Sequence, residues 1–363
     1  MKNIIIILLF SLNINAQTFY SQNVSTNAIT HVKSLSVDAS NNIWIGSEFG
    51  LVKFNRTTKT YFNTSNSGLP TNNINVVMAQ SSVIWVGTNY GLSKYSGGTW
   101  TTYTTANGLV NNNVNCIYID GSGYLWIGTN GGMSKYDGNI SWTNYTSGSS
   151  GLVNNHVNAI SHDANYTLYI ATDYGITKFN VYSDVMTNWN LYFCSCFTMN
   201  PVKTICVAPA NGSSLVDPFW AGFNTPVALT YSGHLDPYTY IEWGYNGTFY
   251  GLTDYFSNIS EWPSNQIYTR NNYVIFCFQG GGAYQIRTGT GGTGIGIQWL
   301  QCNSCYPVAI SYPTSSSLYH YTTSSGILSN NVSSAVIDNS GELWLGSDLG
   351  LSRLTDGTWV NYR

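Results

Sequence analysis

The stretch LWIGTNGGMSKYDG, residues 125–138, decides how this chain is read, because the chain rewrites it. IWIGSEFGLVKF begins at Ile43, IWVGTNYGLSKY at Ile84, LYIATDYGITKF at Leu168 and LWLGSDLGLSRL at Leu343. The aromatic anchors Trp44, Trp85, Trp126, Tyr169 and Trp344 follow one another at 41, 41, 43 and 175 residues. A fixed period of about 40–50 residues marks a propeller or a solenoid.

One copy and its flanks divide into four strands: 113–120, 125–128, 133–136 and 142–145, separated by Gly- and Asn-rich turns. Short strands so punctuated describe an antiparallel meander, and four per ~40–45 residues is a propeller blade. The expected fold class is all-β, a β-propeller of four-stranded antiparallel blades. Linkers of one pattern join them: NSGLPTNNIN, ANGLVNNNVN, SSGLVNNHVN and SSGILSNNVS.

Repeated residues read first as scaffold. The anchor aromatics are expected to pack one sheet against the next. Lys53, Lys94, Lys135, Lys178 and Arg353 share one third-strand position and are expected on a solvated or paired face. Glu48, Asn89, Asn130, Asp173 and Asp348 precede the turn glycine, where side-chain oxygens bond nearby backbone N–H groups.

The long interval is expected to hold two enlarged, irregular blades within 190–318. Pro201–Ile205 fits the first-strand pattern, Trp220 supplies an anchor and Ala228–Gly233 a third strand. Asn272–Phe276 aligns with Asn331–Ala335 as another first strand, with Trp299 as a late anchor. First strands then open near 31, 73, 113, 156, 201, 272 and 331, which gives seven blades over 17–363. The alternative is five blades interrupted by a small Cys-containing domain. GTWVNYR at the C-terminus and QTFYSQ after the leader each resemble a fourth strand, so either end is able to complete a blade.

The opening MKNIIIILLFSLNINAQ has one Lys, an apolar run and small residues up to Ala16, the pattern of a secretory signal peptide over residues 1–16. The expected location is periplasmic or extracellular, with no membrane span once the leader is removed. Only 8% of residues are charged, 15% are aromatic, and a net charge of −3 leaves no basic stripe for nucleic acid. Of seven cysteines, Cys116 reads as a small core residue. Cys194, Cys196, Cys206, Cys277, Cys302 and Cys305 are disulfide candidates in an exported chain, with their pairing open. A Cys₄ zinc site built from Cys194, Cys196, Cys302 and Cys305 is the lesser reading, so no metal or cofactor is expected.

LWIGTNGGMSKYDG followed by WTNYTSGSSGLVNNHVNAI resembles the repeat of the two-component regulator propeller family, strongly in five copies and weakly between 190 and 318. The resemblance implies an extracytoplasmic β-propeller and a sensory role in which glycan fragments are frequent ligands. A hybrid sensor continues into a membrane helix and a kinase, whereas this sequence stops at Arg363, so signalling through this polypeptide is not expected.

In such a ring the first strands open onto one mouth of a central channel. The opening residues are His31, Asn73, Asn113, His156, Pro201, Asn272 and Asn331. Two residues further on stand Lys33, Asn75, Asn115, Asn158, Lys203, Val274 and Ser333. Amides both donate and accept, which suits sugar hydroxyls. The candidate ligand-binding residues are therefore His31, Lys33, Asn75, Asn115, His156, Asn158, Lys203 and Asn331. The expected function is recognition of an oligosaccharide or an extracellular protein, without catalysis. The alternatives are a propeller glycoside hydrolase or polysaccharide lyase, and an adhesion scaffold. Catalysis would draw on Asp217, Asp236, Glu242, Asp254 and Glu261, with His234 as a lyase base.

Overall fold

The computed structural model describes residues 28–162, 167–188 and 321–363 with their side chains, and the backbone of Trp189 and of the strands between 202 and 320. The described strands form seven four-stranded antiparallel sheets, each in simple sequence order. Sheet 1 holds Val32–Val37, Ile43–Ser47, Gly50–Phe54 and Lys59–Phe62, and sheet 2 holds Ile74–Gln80, Val83–Thr88, Gly91–Ser96 and Thr99–Tyr103. Sheet 3 holds Val114–Ile119, Leu125–Thr129, Gly132–Tyr136 and Trp142–Tyr145, and sheet 4 holds Val157–His162, Thr167–Thr172, Gly175–Asn180 and Val185–Trp189. Sheet 5 is Val202–Val207, Phe219–Tyr231, His234–Tyr245 and Thr248–Gly251, and sheet 6 is Ser264–Arg270, Tyr273–Phe278, Gly282–Arg287 and Leu318–Tyr321. Sheet 7 is Val332–Ile337, Leu343–Ser347, Gly350–Thr355 and Thr358–Tyr362.

The first strands neighbour one another in ring order, and that of sheet 7 returns to that of sheet 1. They are therefore innermost, as in a β-propeller. Strands reverse at every turn, so the linkers and the second-to-third turns share one face, called here the linker face. The first-to-second and third-to-fourth turns occupy the far face. No helix among the described residues is long and apolar enough to cross a membrane.

The repeated motif explains how sheets stack. Ile43–Ser47 is buried throughout because each of its faces meets a different neighbour. Ile43 and Ile45 pack with Trp344 of sheet 7, while Trp44 packs with Ile74, Val77 and Val86 of sheet 2. Trp85 meets sheet 3 and Trp126 meets sheet 4 in the same way. The glycine two residues after each tryptophan lies on that same face. A Cβ at Gly87 would meet Val114 at 2.6 Å, and one at Gly128 would meet Val157 at 2.6 Å. The W-x-G pattern thus sets a large ring beside a gap into which the next sheet's first strand fits.

The third-strand cations lie directly opposite the anchors: Trp44 pairs with Lys53, Trp85 with Lys94, Trp126 with Lys135, Tyr169 with Lys178 and Trp344 with Arg353. Lys94 Nζ lies 5.2 Å and Lys135 Nζ 5.0 Å from the facing indole centroid. These are cross-strand cation–π contacts. The indole N–H donates to a carboxylate at the end of the first strand: Trp44 to Asp38, Trp126 to Asp120 and Trp344 to Asp338, each at 2.9 Å. In sheet 2, Gln80 takes that place at 3.1 Å.

Sheets 5 and 6 depart from the sequence reading. Phe219–Tyr231 is one long second strand, so Ala228–Tyr231 continues it and the third strand is His234–Tyr245. Tyr273–Phe278 is the second strand of sheet 6, and Ser264–Arg270 is its first. An apolar run without a W-x-G, such as YVIFCF, does not say which strand of a sheet it is, and so passes for a first strand. Trp299 and the segment QTFYSQ lie outside the described residues, as do the leader and Cys194, Cys196, Cys302 and Cys305. Cys206 and Cys277 stand on described strands, and Cys116 is a free thiol whose burial pushes its pKa up to about 12.

The C-terminal strand Thr358–Tyr362 completes sheet 7, so that sheet comes wholly from one end of the chain. Its seam with sheet 1 is fastened by side chains. Arg56 donates from Nη2 to Asp338 Oδ2 at 2.6 Å and from Nη1 to the Asn41 carbonyl at 2.7 Å. Lys59 Nζ donates to the Arg363 carbonyl oxygen at 2.6 Å.

Candidate functional site

Every innermost strand is interrupted at the same place. The register with the second strand shifts between Val32 and Ser34, Ile74 and Val76, Val157 and Ala159, Val202 and Thr204, and Val332 and Ser334. In sheet 3 the same shift passes over Asn115. The residue left out of the ladder is therefore Lys33, Asn75, Asn115, Asn158, Lys203 or Ser333. A bulge removes one residue from pairing and re-aims its side chain. In sheet 6 the shift lies between Ser264 and Gln266, which assigns the position to Asn265 rather than to Val274. The sequence held a signal for it: Pro263-Ser264-Asn265-Gln266-Ile267 parallels Pro201-Val202-Lys203-Thr204-Ile205.

The bulge side chains tie neighbouring sheets at the linker face. Asn75 Nδ2 donates to Asn89 Oδ1 at 2.6 Å and to the Val114 carbonyl of sheet 3 at 3.0 Å. Asn115 Nδ2 repeats this with Asn130 Oδ1 at 2.7 Å and the Val157 carbonyl of sheet 4 at 3.0 Å. Asn158 Nδ2 donates to Asp173 Oδ1 at 2.9 Å. Ser333 Oγ donates to the carbonyls of Val32 and Gly346. Lys33 Nζ donates to Asn73 Oδ1 of sheet 2 at 2.7 Å and lies 3.3 Å from Glu48 Oε1. These residues form one collar, whose side chains satisfy carbonyls that the bulges free.

The collar revises the expected role of the turn residues. Glu48, Asn89, Asn130 and Asp173 receive the bulge side chains of their own sheets. The linker asparagines brace the loops: Asn72, Asn112, Asn155 and Asn330 accept from the N–H groups of Thr64, Thr105, Ser147 and Thr323 at 2.7–2.8 Å. Asn331 donates its backbone N–H to Ser329 Oγ at 3.0 Å.

Two histidines stand at strand openings. His156 Nδ1 lies 2.9 Å from Asp173 Oδ2. His31 has a positive φ of 49°, meets Phe49 edge to face at 5.4 Å, and donates its backbone N–H to the Asp348 carbonyl at 2.9 Å. His31 Nδ1 and Asp348 Oδ1 are buried atoms without a hydrogen-bond partner.

Of the acids named for catalysis, two stand on a described strand. Asp217, Asp254 and Glu261 fall outside the described residues. His234, Asp236 and Glu242 share one strand, and the two acids stand six positions apart on it. Along a strand that is about 20 Å, well beyond the ~5–9.5 Å of a glycosidase pair. Among the described residues no group of three or more His, Cys, Asp or Glu side chains is placed to hold a metal ion.

Comparison with known proteins agrees with the repeat. The sequence pattern of the two component regulator propeller matches residues 108–131. The matched stretch runs from the linker residues GLVNNN through LWIGT to Gly131. Among solved structures, the fold matches the extracellular domain of a protein assigned as a hybrid two component system from B. thetaiotaomicron, with a TM-score of 0.61 at 17% identity. That match covers 90% of this chain and 38% of the other, so the chain spans well under half the length of that extracellular domain. A virginiamycin B lyase from Staphylococcus aureus matches with a TM-score of 0.60 at 12% identity, over 90% of this chain and 94% of the lyase. At such identities both likenesses establish the propeller fold alone. No curated protein sequence matches.

Proposed function

We propose that this chain is an exported recognition module, a seven-bladed propeller without catalytic activity that takes an oligosaccharide at the linker-face mouth of its channel. The observation that carries this reading is the collar. One first-strand position is lifted out of the ladder in every sheet, and six of its seven occupants are amides or lysines: Lys33, Asn75, Asn115, Asn158, Lys203 and Asn265. His31, His156 and Asn331 open the same strands. Amide and hydroxyl groups already fixed by hydrogen bonds meet sugar hydroxyls at little entropic cost. The sensor ectodomain among the solved neighbours and the apolar leader support export and a sensory role.

The test is a thermal-shift screen of residues 17–363 against neutral and acidic hexasaccharides, repeated with His31→Ala and Lys33→Ala combined. A sugar-dependent rise in melting temperature that shrinks in the double variant is expected, with no change in the sugar after prolonged incubation. A chain that no sugar stabilises, or one that cleaves its ligand, would overturn the reading.

A further inference from the structure

The linker face also carries a set of side chains that the scaffold does not use. In each second-to-third turn, one residue sits between the collar's turn partner and the positive-φ glycine. These are Phe49, Tyr90, Tyr174 and Leu349, with relative exposures of 46%, 63%, 49% and 46%. In sheet 3 the position is Gly131. Their backbone N–H groups close the turn on Ser47, Thr88, Thr172 and Ser347, at 3.0–3.3 Å. The turn therefore needs the main chain at this place and leaves the side chain free to vary, yet four of these five sheets present a large apolar group to solvent. Repeat equivalence sets the four around the mouth as a crown, directly outside the collar.

The charges beneath the crown choose among ligands. Lys33 is already matched by Glu48, and His156 by Asp173. Among the described residues of the mouth, Lys33 is therefore not left over for a sulfate or uronate, nor are Glu48 and Asp173 left over for a basic peptide. Hydrogen-bonding capacity does remain, at His31 Nδ1 beneath Phe49 and at Asp348 Oδ1 beside Leu349. Exposed apolar side chains over amides and the matched Lys33–Glu48 pair suit the apolar faces and hydroxyl edges of uncharged sugars. Rings in sheets 1, 2 and 4, with packed sheets about 10 Å apart, call for a ligand several sugar units long.

From this arrangement we infer that Phe49, Tyr90, Tyr174 and Leu349 form the contact crown of the mouth, and that its ligand is a neutral oligosaccharide. The inference rests on the carbohydrate reading above and narrows it. The experiment is titration calorimetry of residues 17–363 with cellohexaose, xylohexaose, maltohexaose and mannohexaose, and with a hexagalacturonate, a heparin hexasaccharide and an octa-lysine peptide. The same titrations are made on Phe49→Ala/Tyr90→Ala/Tyr174→Ala and on the far-face variant Ile140→Ser/Tyr182→Ser. All five side chains are exposed, so both variants should melt close to the parent.

The expected result is binding of at least one neutral hexasaccharide, weakened about tenfold or more in the crown variant and unchanged in the far-face variant. Neutral binding that survives the crown variant overturns the crown and leaves the carbohydrate reading standing. Binding of the acidic sugars alone overturns the neutral assignment and likewise spares the broader reading. Binding of the peptide alone, or of nothing, overturns both.

Discussion

Three contacts settle what the tryptophan of LWIGT does. The Trp126 indole N–H reaches Asp120, its ring faces Lys135, and two residues on, Gly128 admits Val157. Adding one methyl at Gly128 is expected to cost about 1–3 kcal/mol, the usual penalty of overpacking. Gly121→Ala, whose new Cβ meets nothing within 4 Å, should stay within about 0.5 kcal/mol. Urea unfolding of the two variants checks the contrast. The clamping carboxylates also set an acid limit. Burial pushes the Asp38 and Asp338 carboxyls up, but hydrogen bonds, from Asn42 and Trp44 to Asp38 and from Trp344 and Arg56 to Asp338, outweigh it and hold both below the ordinary range. A lowered folded pKa adds stability that is full above the unfolded value near 4 and is lost as the pH falls through the folded one. Asp338→Asn should therefore flatten the loss of stability below about pH 4, read by melting temperature against pH. The tryptophan and lysine positions were legible as repeats. The carboxylate partner was not, because it stands six residues before the tryptophan, across a turn, and sheet 2 uses Gln80, five residues before, instead.

At the level of the strand, the bulge converts a repeated sequence position into a joint between sheets. Asn115→Ala removes both the bond to Asn130 and the bond to the Val157 carbonyl, and leaves that carbonyl without its side-chain donor. The expected loss is about 1–3 kcal/mol, and Asn115→Asp should not rescue it, since a carboxylate cannot donate. Chemical denaturation of the pair tests this. Strand alternation in the sequence pointed to these positions without revealing that they are bulges, since a bulge is a property of register with the partner strand. The same blindness misplaced the first strand of sheet 6. Once the W-x-G is lost, an apolar run does not say which strand it is, and only the parallel between Pro263–Ile267 and Pro201–Ile205 distinguished the true start.

For the molecule as a whole, the seam between sheets 7 and 1 is where the ring depends on side chains rather than chain continuity. The Asp338 carboxylate is fully buried and paired with Arg56, whose side chain is 23% exposed. Arg56→Ala strands that carboxylate and is expected to cost about 3–5 kcal/mol. Proteolysis at residues 28–31 should quicken as the seam opens, a readout that a loss of stability elsewhere would not favour. The ring itself was legible from five copies of one motif, because a sheet that cannot bury its faces alone must stack on copies of itself. The mouth was only half legible. Its polar positions stood out as departures from the repeat, but their hydrogen bonds consume much of what the sequence offered to a ligand, and the exposed turn residues beside them carry no motif. The claim that the linker face is the recognition face is tested most directly by hydrogen–deuterium exchange of residues 17–363 with and without the four neutral hexasaccharides. The account predicts slowed exchange in the turns at 47–50, 88–91, 172–175 and 347–350. Slowing confined to the far-face turns at 137–141 and 181–184, or no slowing with any of them, would contradict it.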